Sequence, residues 1–139
     1  MSELLRLFTR AGKLMRAAAD EAMSPHGVRV GQNLLLEVLW SDDGLTPGEL
    51  AGRLRVTTPT VVNAATRMET AGLVTRRRDS SDARLVRLYL TEKGRAAQEP
   101  VQAARAELER RATAELTDSE RKHVESALRK IIRELDPDG

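Results

Sequence analysis

The same helix-start signal is written twice in close succession, as Thr46-Pro47-Gly48-Glu49 and as Thr57-Thr58-Pro59-Thr60. In the first, Thr46 serves as N-cap and Pro47 takes the first helical position, where its missing N–H costs nothing. Glu49, three residues after the cap, completes a capping box. In the second, Thr57 or Thr58 caps and Pro59 begins the helix. Starts this close leave room only for a short helix, 47–54, and a tight link before a second helix that runs to Ala71 and stops at Gly72. Two strand-like runs follow, 73–78 and 84–90, joined by the polar turn Asp79-Ser80-Ser81-Asp82-Ala83. The order of short helix, tight link, helix, strand, polar loop and strand predicts a helix-turn-helix followed by a β-hairpin wing.

The flanks are helical. Leu4, Leu7, Phe8, Ala11, Leu14, Met15, Ala18 and Ala22 recur at helical spacing over 3–23, with Ser2 as cap, and Ser24-Pro25-His26-Gly27 breaks that helix. The strongly apolar 32–40 predicts a second helix, buried on more than one side and ended by 41–44. Thr91 should cap a long helix over 92–115, kinked by Pro100. Thr117-Asp118-Ser119-Glu120 is another capping box, opening a last helix through Leu135 with Val124, Ala127, Leu128, Ile131 and Ile132 on one stripe. Residues 136–139 read as a frayed tail. The expected fold class is mainly α with a small β-hairpin wing.

Several functions are excluded by what the chain lacks. With no cysteine among its 139 residues it has no disulfide, no thiolate chemistry and no thiolate-bound zinc, which fits a reducing cytoplasm. Only His26 and His123 are present, far apart in sequence, so a metal site is not expected. Charges inside its first apolar stretch argue against a signal peptide, and no apolar run approaches the roughly 20 residues that span a bilayer. Length fits one domain, 1–139.

The net charge of +2 hides a strong asymmetry. Residues 53–95 hold ten Lys/Arg against four Asp/Glu, a balance of +6, while 1–52 (five against seven) and 96–139 (eight against ten) each carry −2. A positive middle between acidic flanks is the footprint of a lobe that meets phosphate. On the second helix of the motif, Val61, Ala64, Ala65 and Met68 form the inward stripe, leaving Thr58, Thr60, Val62, Asn63, Thr66, Arg67 and Thr70 outward. Asn63 can pair bidentately with adenine, Val62 or a Thr methyl can touch a thymine methyl, and Arg67 can reach phosphate. Arg76, Arg77, Arg78 and Arg84 give the wing a basic ribbon suited to the minor groove and its phosphates.

Longer runs carry a resemblance. Gly44-Leu-Thr-Pro-Gly-Glu-Leu-Ala-Gly-Arg-Leu54, Thr57-Thr-Pro-Thr-Val-Val62 and Arg67-Met-Glu-Thr-Ala-Gly-Leu-Val74 resemble the helix-turn-helix of the MarR family of transcriptional regulators. Asp79-Ser-Ser-Asp-Ala-Arg84 resembles that family's wing, and Leu90-Thr-Glu-Lys-Gly-Arg95 the segment that closes it. The resemblance implies a cytoplasmic homodimer, interlocked through 1–25 and 96–135, whose 45–95 lobes read a pseudo-palindromic operator as a ligand-responsive repressor. It implies Arg84 as a minor-groove arginine and Asp82 as the carboxylate that orients wing arginines. It also implies a small, often anionic aromatic effector, with no cofactor. Val62-Asn63-Ala64 replaces the family's usual polar–Arg–Leu run, and Ala83 stands where a second arginine is common, so base contacts do not transfer residue by residue. Trp40, Met15 and His26 are candidates for lining an effector pocket, against plain core or surface roles. Two rival readings remain open: a winged helix that serves only as a protein-interaction module, disfavoured by the +6 segment, and an enzyme, disfavoured by the lack of a nucleophile elbow, a phosphate-cradling loop or a ligand cluster.

Overall fold

The structure, a computed structural model, describes residues 2–137. Helix α1 (Glu3–Met23) starts where Ser2 Oγ accepts the Leu5 N–H at 3.2 Å and ends in a single 3₁₀ turn, Ser24–His26. Then come α2 (Gln32–Ser41), α3 (Pro47–Leu54), α4 (Thr58–Thr70), strands β1 (Val74–Arg78) and β2 (Val86–Leu90), and helices α5 (Glu92–Ala96), α6 (Gln98–Ala112) and α7 (Asp118–Leu135). Two compact units divide the chain after Arg105.

In the first unit the helix-turn-helix forms as its caps dictate. Thr46 Oγ1 accepts the Glu49 N–H at 3.1 Å while the Glu49 carboxylate accepts the Thr46 N–H, so both open donors are met. Arg55 takes the left-handed conformation (φ 57°), and the Val56 N–H closes on the Ala51 carbonyl at 3.1 Å. That tight exit turns the chain into α4, which Thr57 caps. Leu36 and Leu39 of α2, Leu50 of α3, Val61 and Met68 of α4, Leu73 and Leu88 of the wing and Val101 of α6 are all essentially sealed from solvent and form one core. Helix α2 is buried at Leu35, Leu36 and Leu39, but Leu34 is 48% exposed, so one side of that helix stays open.

The wing is an antiparallel pair in register Val74↔Leu90, Arg76↔Leu88 and Arg78↔Val86. A third piece of backbone joins it: Gly44 N–H donates to Leu88 O and Leu88 N–H to Leu45 O, at 3.1 and 2.9 Å. Gly44 is required there, because its φ is +77° and a β-carbon would lie 2.7 Å from the Tyr89 ring.

Three expectations are corrected. The second strand begins at Val86 and not at Arg84, because the Asp82 carboxylate takes the Arg84 N–H and Leu85 N–H closes on Asp82 O, holding 82–85 in a turn. The helix after Thr91 is not continuous: α5 stops at Ala96 and α6 restarts at Gln98. Proline has no N–H and crowds the carbonyl four residues earlier, here that of Ala96, so the break falls one turn upstream of Pro100 and leaves the ring in the first turn of the new helix. Helix α6 also ends at Ala112, short of Glu115, where Ala114 N–H to Arg111 O and Leu116 N–H to Thr113 O tighten the chain into three-residue turns.

In the second unit α7 opens on the expected capping box, with Thr117 Oγ1 accepting the Glu120 N–H at 3.1 Å. An Arg121–Glu109 ion pair at 2.8 Å ties it to the end of α6. Of the tail expected to fray, 138–139 lie outside the described residues.

Candidate nucleic-acid interface

Helix α4 divides as its sequence requires. Val61, Ala65 and Met68 are buried, and Thr58, Thr60, Asn63, Thr66, Arg67 and Thr70 are exposed, while Val62 is half-buried. Thr57 Oγ1 accepts the Thr60 N–H, and the two hydroxyls lie 2.8 Å apart. The cap meets the Thr60 N–H and Pro59 has none, which leaves the Thr58 N–H open in the first turn, where the helix dipole favours an anion. Thr66 donates to Val62 O at 3.0 Å and so has its proton committed. The Arg67 side chain has no hydrogen bond or ion pair among the described residues.

The wing arginines are individually held. Arg76 reaches back to α4, its Nη2 donating to Thr66 Oγ1 at 2.8 Å and its Nε to Glu69 Oε1 at 3.2 Å. Arg77 and Arg87 face each other across the strands, a like-charge pair that would repel if nothing intervened. Three partners relieve it: the Arg77 guanidinium lies 4.3 Å from the centre of the Tyr89 ring, and Arg87 donates to Asp79 at 2.6 Å and to Gly44 O at 2.8 Å. Arg78 donates to Ala83 O at 2.7 Å. Arg84 forms a two-pronged pair with Asp82, at 3.0 and 3.1 Å, and its side chain is 88% exposed.

Asp82 thus orients one wing arginine, Arg84. The carboxylate that organises the turn itself is Asp79, a role its residue type alone does not assign. It accepts the N–H groups of Ser81 and Asp82 at 2.9 and 2.8 Å as well as Arg87 Nε. Its Arg87 hydrogen bond, followed by the two backbone donors, holds its pKa down at about 2. The Arg84 side chain, then the Arg84 N–H, lowers that of Asp82, and each carboxylate in turn raises its arginine's. The available signal was spacing: an Asp whose own N–H neighbours lie two and three residues ahead is an Asx-turn. Arg87 also reaches Glu49 at 3.4 Å, a residue read above only as part of a capping box, and Glu69, which holds Arg76, was not singled out. Both wing acids are therefore spent on arginines, so neither presents a free negative charge to a polyanion.

A cavity of about 640 Å³ lies beside α4, lined by Arg16 of α1, by Arg29, Val30, Leu34 and Leu35, and by Asn63 and Arg67 of α4. Arg29 is paired with Asp20 at 2.8 Å, and the Val30 N–H, followed by that pairing, lowers the Asp20 pKa. The suggested pocket residues lie elsewhere: Trp40 Nε1 donates to Gly94 O at 2.9 Å, while Met15 and His26 are exposed and line no part of this cavity. Among the described residues no three His, Asp or Glu side chains are grouped to hold a metal ion, and no helix is long and apolar enough to cross a membrane.

Residues 30–86 match the MarR family. The HTH-type transcriptional regulator TtmR of Methylorubrum extorquens is 38% identical over 73 residues, 52% of this chain and only 37% of that protein. The HTH-type transcriptional repressor Rv2887 of Mycobacterium tuberculosis is 29% identical over 125 residues, covering 90% of each. Among solved structures, S. aureus MepR in complex with DNA superposes with a TM-score of 0.84 at 26% identity, covering 96% of this chain and 99% of that one.

Proposed function

From the match of residues 30–86 to the MarR family, we propose that the chain is a member of that family, a DNA-binding transcriptional repressor that reads a pseudo-palindromic operator as a homodimer. The observation that carries this reading is the placement of α4 and the wing in one unit, with Arg67 and Arg84 at its surface and the acids Asp79 and Asp82 consumed by internal pairs. Thr58, Thr60, Val62 and Asn63 contact bases or the adjoining phosphates, Thr66 offers its methyl, and Arg67, Arg77, Arg78 and Arg84 supply cations. The 45–95 lobe reads DNA. Arginines and apolar side chains share the cavity, which suits a small anionic aromatic effector: Arg16 takes the anion, and Val30 and Leu34 the ring. Because Asn63 and Arg67 belong both to the cavity wall and to the reading helix, occupancy competes with DNA. Such a protein works in the cytoplasm, where its operator is.

Dimerisation through 1–25 and 96–135 is supported by faces with nothing to cover them. Leu4, Leu7, Phe8, Leu14 and Met15 along α1 are 37–65% exposed, and Val124, Leu128 and Ile132 along α7 are 42–60% exposed. Apolar stripes of this extent mark protein contacts. Sedimentation at micromolar concentration is expected to give twice the chain mass, with two chains per operator duplex. A monomer mass with and without DNA would overturn the reading.

A further inference from the structure

Among the basic side chains of the wing, Arg76 is spent in an unusual way. Its fork bridges two α4 residues one helical turn apart, Thr66 and Glu69, and Thr66 is itself anchored on the Val62 carbonyl at 3.0 Å. The connection between α4 and β1 is short. Gly72 takes a left-handed turn (φ +78°), Leu73 is sealed in the core, and its N–H closes on Met68 O at 2.9 Å. The root of the ribbon is therefore fixed by burial at Val74 on β1 and at Leu88 and Leu90 on β2, with Leu88 also bonded to Gly44 and Leu45. Strand β1 itself is exposed at every residue from Arg76 outward. Beyond that root the pair is two-stranded, and such a ribbon has little stability of its own. Arg76, paired across the ladder with Leu88, ties β1 to α4 where the buried root ends.

We infer, on the DNA-binding reading above, that Arg76, Glu69 and Thr66 form a clamp that sets the angle between the reading helix and the wing. They are positioning residues, and Arg76 is not a phosphate contact. Simultaneous docking of α4 in one groove and Arg84 in the next requires that angle, so the clamp converts two separate contacts into one rigid footprint. A planar guanidinium suits the task because its donors diverge in fixed directions, which a lysine ammonium does not reproduce.

The sign of one substitution separates the alternatives. Glu69→Ala removes a negative charge beside the proposed interface, so electrostatics alone predicts tighter binding to any DNA. The clamp predicts weaker binding to operator, roughly threefold or more, with less discrimination against scrambled DNA and an unchanged salt slope. Thr66→Val, which alters no charge, should act in the same direction. Arg76→Ala should add little once Glu69 is gone. A second readout needs no DNA. The chain has no cysteine, so spin labels on Ser80→Cys at the wing loop and Thr58→Cys on α4, in labelled chains diluted with unlabelled ones, report the wing's angular spread. The distance distribution should be narrow in the parent and broad in Glu69→Ala and Thr66→Val, with thermal stability unchanged. Tighter binding in Glu69→Ala, a salt slope shallower by about one in Arg76→Ala, or unchanged distance widths would each overturn the clamp. If the parent chain binds no duplex DNA, the DNA-binding reading fails, and the distance widths still decide the clamp.

Discussion

Gly94→Ala is expected to destabilise the protein by roughly 3 kcal/mol or more, lowering its melting temperature by on the order of 10 °C. A β-carbon at Gly94 would stand 2.1 Å from the Leu73 carbonyl oxygen and 3.3 Å from Leu90 Cδ2. The first neighbour is backbone, and it is pinned: Leu73 O accepts the Thr91 N–H at 3.0 Å, while Thr91 Oγ1 donates to Gly72 O at 2.5 Å. On the other side the Gly94 carbonyl accepts Trp40 Nε1. The α5 backbone is thus wedged between the wing root and α2, and no rotamer change can make room. Gly52→Ala is the control, since nothing lies within 4 Å of the added methyl on exposed α3. There alanine should stabilise by about 0.5–1 kcal/mol through helix propensity alone. Opposite signs for one chemical change, read by thermal unfolding, would establish the packing of α5. A neutral Gly94→Ala would refute it.

Arg84→Ala should weaken binding to every duplex by roughly tenfold and make the salt slope shallower by about one charge. Two effects add: the loss of an exposed cation at the turn, and the loss of the cation beside Asp82, whose carboxylate would then face phosphate with only the backbone N–H of residue 84 as partner. Removing both, in Arg84→Ala with Asp82→Ala, should recover part of the loss. Asn63→Ala should behave differently. Asn63 is neutral and exposed on α4, so the salt slope should hold while preference relaxes at one symmetric position per half-site, at a cost in discrimination of about 1–3 kcal/mol. A salt titration of both variants on operator and scrambled DNA distinguishes these roles. They are reversed if Arg84→Ala leaves affinity and slope alone while Asn63→Ala lowers binding equally on both.

What was legible in the sequence was what is local. Ser2, Thr46 and Thr117 each announce a helix start within three residues and cap as read, and of the two threonines offered before α4 it is Thr57 that caps. The apolar phase of α4 gave its buried side for the same reason. Element ends were less legible where two constraints meet. Pro100 fixes a break, but its effect lies at the carbonyl one turn back, which leaves α5 only five residues. The start of β2 depended on the Asp82 side chain capturing a backbone N–H, which competes with the ladder. In the candidate interface, the sequence located the arginines and could not assign their partners. Asp79 and Arg87 are neighbours only because β2 folds back, and Glu69 meets Arg76 only because the wing root turns on Gly72. Arg16 reaches the cavity beside Arg67 through packing of α1 near α4, which no periodicity encodes.

Selection of binding sites from random duplex DNA by the intact chain tests the central claim most directly. The account predicts enrichment of a site with a dyad, its half-site centres about one helical turn apart, bound by two chains with an affinity that falls steeply as salt rises. Recovery of no enriched sequence, or of an asymmetric site bound by one chain, would contradict it.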